Sequence, residues 1–200
     1  MIKEESILAA GYKERFIWLD GEINPTVAYQ FKRMLAKLNK LKIAPMVFYI
    51  SGPGGDTHAG FSMMNEIIAS DSPVIIVAHG IVTSGCFTIT QTGAYQLALP
   101  GTKFTFHPAE LQFKKNLGYQ FQLTQSQLIE NLERLRLVDS VQLSWLIKRG
   151  RPTKEIFDLF RVGATISLPK ARKLHLIDGY YKTEDFLRDK RIVRKIKKAK

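Results

Sequence analysis

The sequence predicts an α/β fold with parallel strands, on three observations. Short apolar runs of strand length alternate with longer segments of helical periodicity. Two of those runs, Met46–Ile50 and Val74–Ala78, each end in small-residue turns that lead into helical patterns: Ser51-Gly52-Pro53-Gly54-Gly55-Asp56 and Gly80-Ile81-Val82-Thr83-Ser84-Gly85-Cys86. No repeat or low-complexity linker interrupts the 200 residues, a length that suits one domain with a sizeable core.

The elements follow in order. Residues Pro25 to Asn39 place Val27, Phe31, Met34, Leu35 and Leu38 on one side of a helix. After the Met46–Ile50 strand, Gly60 to Ala69 reads as a second helix, carrying Phe61, Met64, Ile67 and Ile68. The Val74–Ala78 strand precedes a buried helix from Ser84 to Thr92, which Gly93 stops. Tyr95 to Phe106 reads as strand, turn at Pro100-Gly101, strand. Thr124-Gln125-Ser126-Gln127 has the form of a capping box, opening a long helix to about Lys148. Leu128, Leu132, Leu135, Val138 and Trp145 give that helix one apolar stripe, so it is expected to bury a face. Gly150-Arg151-Pro152-Thr153 breaks it, and a shorter helix runs to about Phe160.

Composition narrows the class. An apolar fraction of 45% is ordinary for a soluble globular chain, and no run approaches the ~18 apolar residues of a membrane helix. Met1-Ile2-Lys3-Glu4-Glu5-Ser6 lacks the pattern of a signal peptide, and Cys86 is the single cysteine; together they favour a reducing, intracellular setting. The net charge is +12. From Arg188 onward there are eight basic residues and one acid, so residues 187–200 read as a basic tail, expected to be a solvated, disordered end. Such a tail could hold nucleic acid or an anionic membrane surface. It has no aromatic residue after Phe186 on which bases could stack, which makes nucleic acid an unlikely partner. No metal-ligand cluster and no phosphate loop is present, so no cofactor is expected.

A serine in one turn beside a bare Gly-Gly in the other suits a nucleophile next to an oxyanion hole. Thr102-Lys103-Phe104-Thr105-Phe106-His107-Pro108 adds a histidine at a strand end. Taken singly, Ser84 is a helix N-cap, His107 a packed or solvent-facing histidine and Gly54-Gly55 a turn. His58, His79 and His175 read as structural or surface residues, and Cys86 as a small packed hydrophobe.

In their order and spacing these segments resemble the proteolytic subunit of Clp protease (ClpP), within the ClpP/crotonase superfamily. Ser51-Gly52-Pro53-Gly54-Gly55 is similar to the family's Asn-Ser-Pro-Gly-Gly turn, Gly80 to Cys86 to its nucleophile stretch, and Phe104 to Pro108 to its histidine stretch. Tyr12 to Leu19 resembles the family's first strand. Ile166 to Ala171, followed by Leu176-Ile177-Asp178, resembles a further family segment, so the likeness runs colinearly from about Tyr12 to Asp178. It implies repeated β-β-α units with a long handle helix that interlocks two stacked rings. The domain would span residues 12–186, after a short N-terminal segment 1–11. It implies a serine peptidase of the S14 type, with Ser84 as nucleophile, His107 as base and the N–H groups of Gly55 and Gly85 holding the oxyanion. Asp56, Thr57 and His58 would offer a strand edge to an extended peptide. The implied partners are a peptide or unfolded-protein substrate, a homo- or hetero-oligomeric ring and a Clp-type ATPase.

Three departures stand out. The position of the family's third residue, an aspartate, reads Gly163 in an ungapped match, and Asp158 lies five residues away. That acid fixes the histidine tautomer, and in chymotrypsin-type enzymes its change to Asn costs about four orders of magnitude in rate. A backbone carbonyl or water would have to orient His107 instead. Only about eleven residues precede Tyr12, which counts against docking to a Clp-type ATPase. After His107 the chain reads Pro108-Ala109-Glu110-Leu111-Gln112-Phe113 where the family is glycine-rich, and Gly85 replaces a methionine. The rival readings are a catalytically inactive ring subunit, a binding protein acting through its basic tail, and a crotonase-like acyl-CoA enzyme. The last has no need of a serine nucleophile.

Overall fold

The computed structural model describes residues 6–110 and 125–198. In chain order the elements are β1 (Ile7–Gly11), β2 (Phe16–Asp20), α1 (Pro25–Leu41), β3 (Met46–Gly52), α2 (Thr57–Ile68), β4 (Val74–Thr83), α3 (Gly85–Thr90), β5 (Tyr95–Ala98), β6 (Lys103–Thr105), α4 (Gln125–Arg149), α5 (Thr153–Arg161), β7 (Thr165–Ser167), α6 (Leu168–Lys173), β8 (Gly179–Tyr180) and α7 (Thr183–Lys198). The predicted α/β class is the observed one. The sheet runs β1-β2-β3-β4-β5-β8, parallel except for the antiparallel β1–β2 edge, and β6 pairs with the end of β4 and with β7.

Local chemistry sets the helix starts. Asn24 caps α1 by accepting the Val27 N–H at 2.9 Å, with Pro25 in the first turn where its missing donor costs nothing. Asp56 caps α2 by accepting the Ala59 N–H at 2.7 Å. The helix therefore begins three residues earlier than its apolar spacing suggested. The expected first strand, Tyr12 to Leu19, holds only the turn (with Arg15 at φ 56°) and most of the second arm of a hairpin, whose first arm is β1 and second arm β2. The capping box at Thr124 falls outside the described residues in part, since helix α4 is described from Gln125.

Alternation along the central strands sends side chains to two faces. Ile17, Phe48 and Ile76 share one row and pack against Phe31, Leu35, Met63 and Ile67 of α1 and α2. Trp18, Tyr49, Val77 and Leu97 share the neighbouring row on the opposite face. A parallel sheet needs cover on both faces, and α7 supplies it here. Phe186 and Val193 are buried, with the Phe186 ring 5.0 Å from Trp18 and 5.7 Å from Tyr49. Tyr49 donates its hydroxyl to the buried Asp189 carboxylate at 2.8 Å, and Arg188 Nε donates to the same group at 2.9 Å.

The expectation of a disordered basic end is thus corrected through Lys198. Arg188, Arg191, Arg194 and Lys195 are exposed on the outer side of a helix whose inner side carries Phe186, Asp189, Val193 and Ile196 at helical spacing. The stripe on α4 also departs from expectation. Its buried residues are Gln142 and Leu146, while Leu128, Ile129, Leu132 and Leu137 are exposed in the single chain. Among the described residues, no helix is long and apolar enough to cross a membrane.

Candidate active site

The site forms where β4 outgrows its first partner. Ile50 pairs with Ala78 but Gly52 pairs with Val82, so β4 carries extra residues at His79–Ile81, with Gly80 at φ 64°. Beyond this irregularity Ile81–Thr83 pair in parallel with Lys103–Thr105 of β6. The stretch Gly80–Thr83, expected as a turn, is therefore the second half of a strand. Residue 84 leaves the end of β4, and His107 lies two residues beyond the end of the adjacent β6.

Ser84 stands at the sharp junction between β4 and α3, at φ 54° and ψ −127°. That conformation is costly for a residue with a Cβ, and the backbone around it holds it in place. Its N–H donates to Thr105 O at 2.8 Å, and its C=O accepts from Phe87 and Thr88. The side chain does not cap the helix. Among the described residues Ser84 Oγ makes no hydrogen bond, to His107 or to any other group, so the plain N-cap role is not the one it plays.

Gly54 presses on this junction from the turn after β3. A Cβ on Gly54 would lie 2.8 Å from Ser84 Cβ and 2.9 Å from the Gly85 nitrogen. Gly55, at φ 141°, is locked by Ile23, whose N–H donates to Gly54 O and whose C=O accepts from Asp56. Among the described residues neither the Gly55 nor the Gly85 N–H enters a backbone hydrogen bond, so both are free to donate. Asp56 and Thr57 do not form the strand edge expected of them. Asp56 gives its N–H to Ile23 and its carboxylate to the cap of α2, and Thr57 already lies in the helix. Next to Ser84 a small pocket of about 20 Å³, room for little more than one water, opens between α2, α3 and α4, lined by Gly55, Phe61, Met64, Thr88 and Gln142.

His107 is partly exposed, and its Nδ1 lies 2.7 Å from the carbonyl oxygen of Pro108. The Glu110 carboxylate is 3.9 Å from the same nitrogen, beyond hydrogen-bond reach. Gly163 sits directly beside it: a Cβ there would lie 3.4 Å from His107 Cβ. The local reason for glycine is the end of α5. Gly163 takes φ 66°, its N–H donates to Phe160 O, and the Ala164 N–H donates to Leu159 O, the pattern of a Schellman stop. Asp158 is paired with Lys154 at 2.8 Å, which holds its carboxyl below the usual carboxylate range.

The remaining candidates separate from the site. Cys86 is fully buried beneath Gly54, and burial pushes its thiol up to about 12, so it is no nucleophile. His58 and His175 are exposed. His79 lies on the opposite face of the sheet, its ring 4.9 Å from Trp18 and 5.1 Å from Phe186. Among the described residues no group of His, Cys, Asp and Glu could hold a metal ion. Sequence reasoning passed over Gln142, which lines the pocket, and Asp139, which accepts the Ala109 N–H at 2.6 Å. Both reach the site from α4, and nothing near them in sequence marks either one.

Comparison with known proteins gives a consistent picture. The Clp protease family model matches residues 3–136. The chain is 27% identical over 169 residues to the ATP-dependent Clp protease proteolytic subunit 2 of Prochlorococcus marinus, covering 82% of this chain and 80% of that one. It is 27% identical over 107 residues to subunit 2 of Treponema denticola, a match that spans 52% of this chain and only 54% of that relative. A solved ClpP1 mutant from Listeria monocytogenes superposes with a TM-score of 0.75 at 17% identity, over 87% of this chain and 95% of that one.

Proposed function

The chain belongs to the Clp protease family, and on that premise we propose that it is a peptide-hydrolysing serine peptidase subunit acting through Ser84 and His107. The observation that carries this reading is the pair of turns at the end of β3 and β4. They hold Ser84 at positive φ with no side-chain cap bond, and Gly55, Ser84 and Gly85 line one small pocket.

Ser84 Oγ attacks the peptide carbonyl while His107 takes its proton through Nε2. The oxyanion then forms against the two glycine N–H groups, each donor of this kind contributing roughly 3 kcal/mol to the transition state. Among the described residues the two side chains share no hydrogen bond, and catalytic hydrogen bonds are commonly long in a free enzyme and tighten in the Michaelis complex. Phe61 and Met64 give the small adjoining pocket an apolar wall. The exposed Leu128, Ile129, Leu132 and Leu137 of α4 suit burial between subunits of a ring.

A second reading, an inert ring subunit, is favoured by one observation: among the described residues no carboxylate hydrogen-bonds His107, and Gly163 stands at the expected acid position. A fluorophosphonate probe read by intact mass decides between the two, with Ser84→Ala and His107→Ala as controls. One adduct on the wild type and none on either variant supports the peptidase. An assembled, folded protein that stays unlabelled establishes the inert subunit.

A further inference from the structure

We infer that the Pro108–Ala109 peptide unit takes the place of the missing acid, and that Asp139 is the positioning residue that holds it against His107. The inference rests on the peptidase reading above for its catalytic meaning, but its geometry stands without it.

A carbonyl oxygen can only accept. The 2.7 Å contact between His107 Nδ1 and Pro108 O therefore places the proton on Nδ1 and leaves Nε2 bare. That is the tautomer a general base must have, and an orienting aspartate ordinarily selects it. Glu110 does not do so, because it stands 3.9 Å away with a largely exposed side chain. Gly163 cannot do so, having no side chain.

The Pro108 carbonyl and the Ala109 N–H belong to one planar peptide group and point in opposite directions. His107 holds the oxygen end, and Asp139 Oδ1 accepts from the nitrogen end at 2.6 Å. The peptide is thus gripped from both sides, and its rotation, which would withdraw the carbonyl from the imidazole, is blocked. A carboxylate at the N–H end also polarises the peptide and strengthens its oxygen as an acceptor, since hydrogen bonds in a chain reinforce one another. The carboxylate that an aspartate would supply directly is here supplied through one amide, from α4 rather than from the loop after α5.

The test uses the full-length protein with imidazole 15N labelling. The four histidines are few enough for His107 to be assigned with a His107→Ala spectrum. The wild type is expected to show a protonated Nδ1 and a bare Nε2. Asp139→Ala removes the acceptor and is expected to mix the two tautomers, and to slow Ser84 labelling at least tenfold without changing the concentration of probe at half-saturation. Asp139→Asn keeps an oxygen acceptor and is expected to restore the tautomer and bring labelling to within about threefold. Glu110→Gln should leave both unchanged. Thermal midpoints and particle size show that each variant is folded and assembled. An unchanged tautomer in folded Asp139→Ala overturns the inference. A wild type that shows the expected tautomer but takes no probe overturns the peptidase reading and leaves the positioning of His107 by Asp139 standing.

Discussion

Gly54→Ala should disable Ser84 while leaving most of the protein intact. The new Cβ would stand 2.8 Å from Ser84 Cβ, 2.9 Å from the Gly85 nitrogen and 3.1 Å from Thr83 O. Optimal carbon contacts lie at about 3.5–4.0 Å, so the serine must retreat by about 1 Å. A misplacement of that size costs about 100-fold in rate, and the shift also moves an oxyanion donor. Alanine at φ 94° adds backbone strain of about 1–2 kcal/mol, and crowding adds roughly 1–3 kcal/mol. Gly101→Ala is the matched control. It carries the same kind of strain at φ 84° but meets nothing within 4 Å, so it should lose about 1 kcal/mol of stability and no reactivity. The assay is the second-order rate of fluorophosphonate labelling by intact mass, beside urea denaturation. Folded Gly54→Ala that labels within threefold of wild type would show that the glycine does not set the position of Ser84, and the steric argument would fail.

Three further outcomes follow from the same geometry. Gly163→Asp puts a carboxylate beside His107 at a backbone strain of about 1 kcal/mol, because Asp tolerates φ 66° better than most residues. Labelling should rise about tenfold or more, and a fall with the fold intact would refute the assignment of that position. Stability should drop as pH falls from 6.5 to 4, by about 3 kcal/mol from His79 alone. Burial between Trp18 and Phe186, with Lys190 nearby, lowers its pKa to about 4, so the unfolded chain binds a proton that the folded chain refuses. Denaturation at a series of pH values should show a shallower slope in His79→Leu, and an equal slope would remove His79 from the account. Phe186→Ala should cost about 3 kcal/mol, read from urea midpoints. A loss below about 1 kcal/mol would return the C-terminal helix to a loosely attached end.

Much of this architecture was legible in the sequence. The apolar runs at Met46–Ile50 and Val74–Ala78 are strands because β-branched and aromatic residues of that length have no stable alternative between flanking turns. The small residues that follow them announced turns in which backbone amides could be left unblocked, and among the described residues neither the Gly55 nor the Gly85 N–H enters a backbone hydrogen bond. The end of β4 was misread. Gly80 signals a turn locally, yet β6 arrives from twenty residues later to carry the strand on to Thr83. The C-terminal segment was misread for a related reason. Its eight basic residues dominate any count, while the four positions that touch the sheet matter only because Trp18, Tyr49 and Val77 lie bare beneath them.

The sequence by itself determined the chemical inventory: Ser84 after a buried strand, His107 at a strand end, glycines where side chains would collide, and no acid at residue 163. Only the tertiary structure decided how that inventory is wired. Glycine at 163 ends a helix, and the His107 ring meets the carbonyl of a peptide whose N–H is held by Asp139, thirty residues away on α4. Propensity and spacing act over a few residues, whereas a hydrogen bond of 2.6 Å is fixed by where two distant segments come to rest. No local pattern can encode that distance.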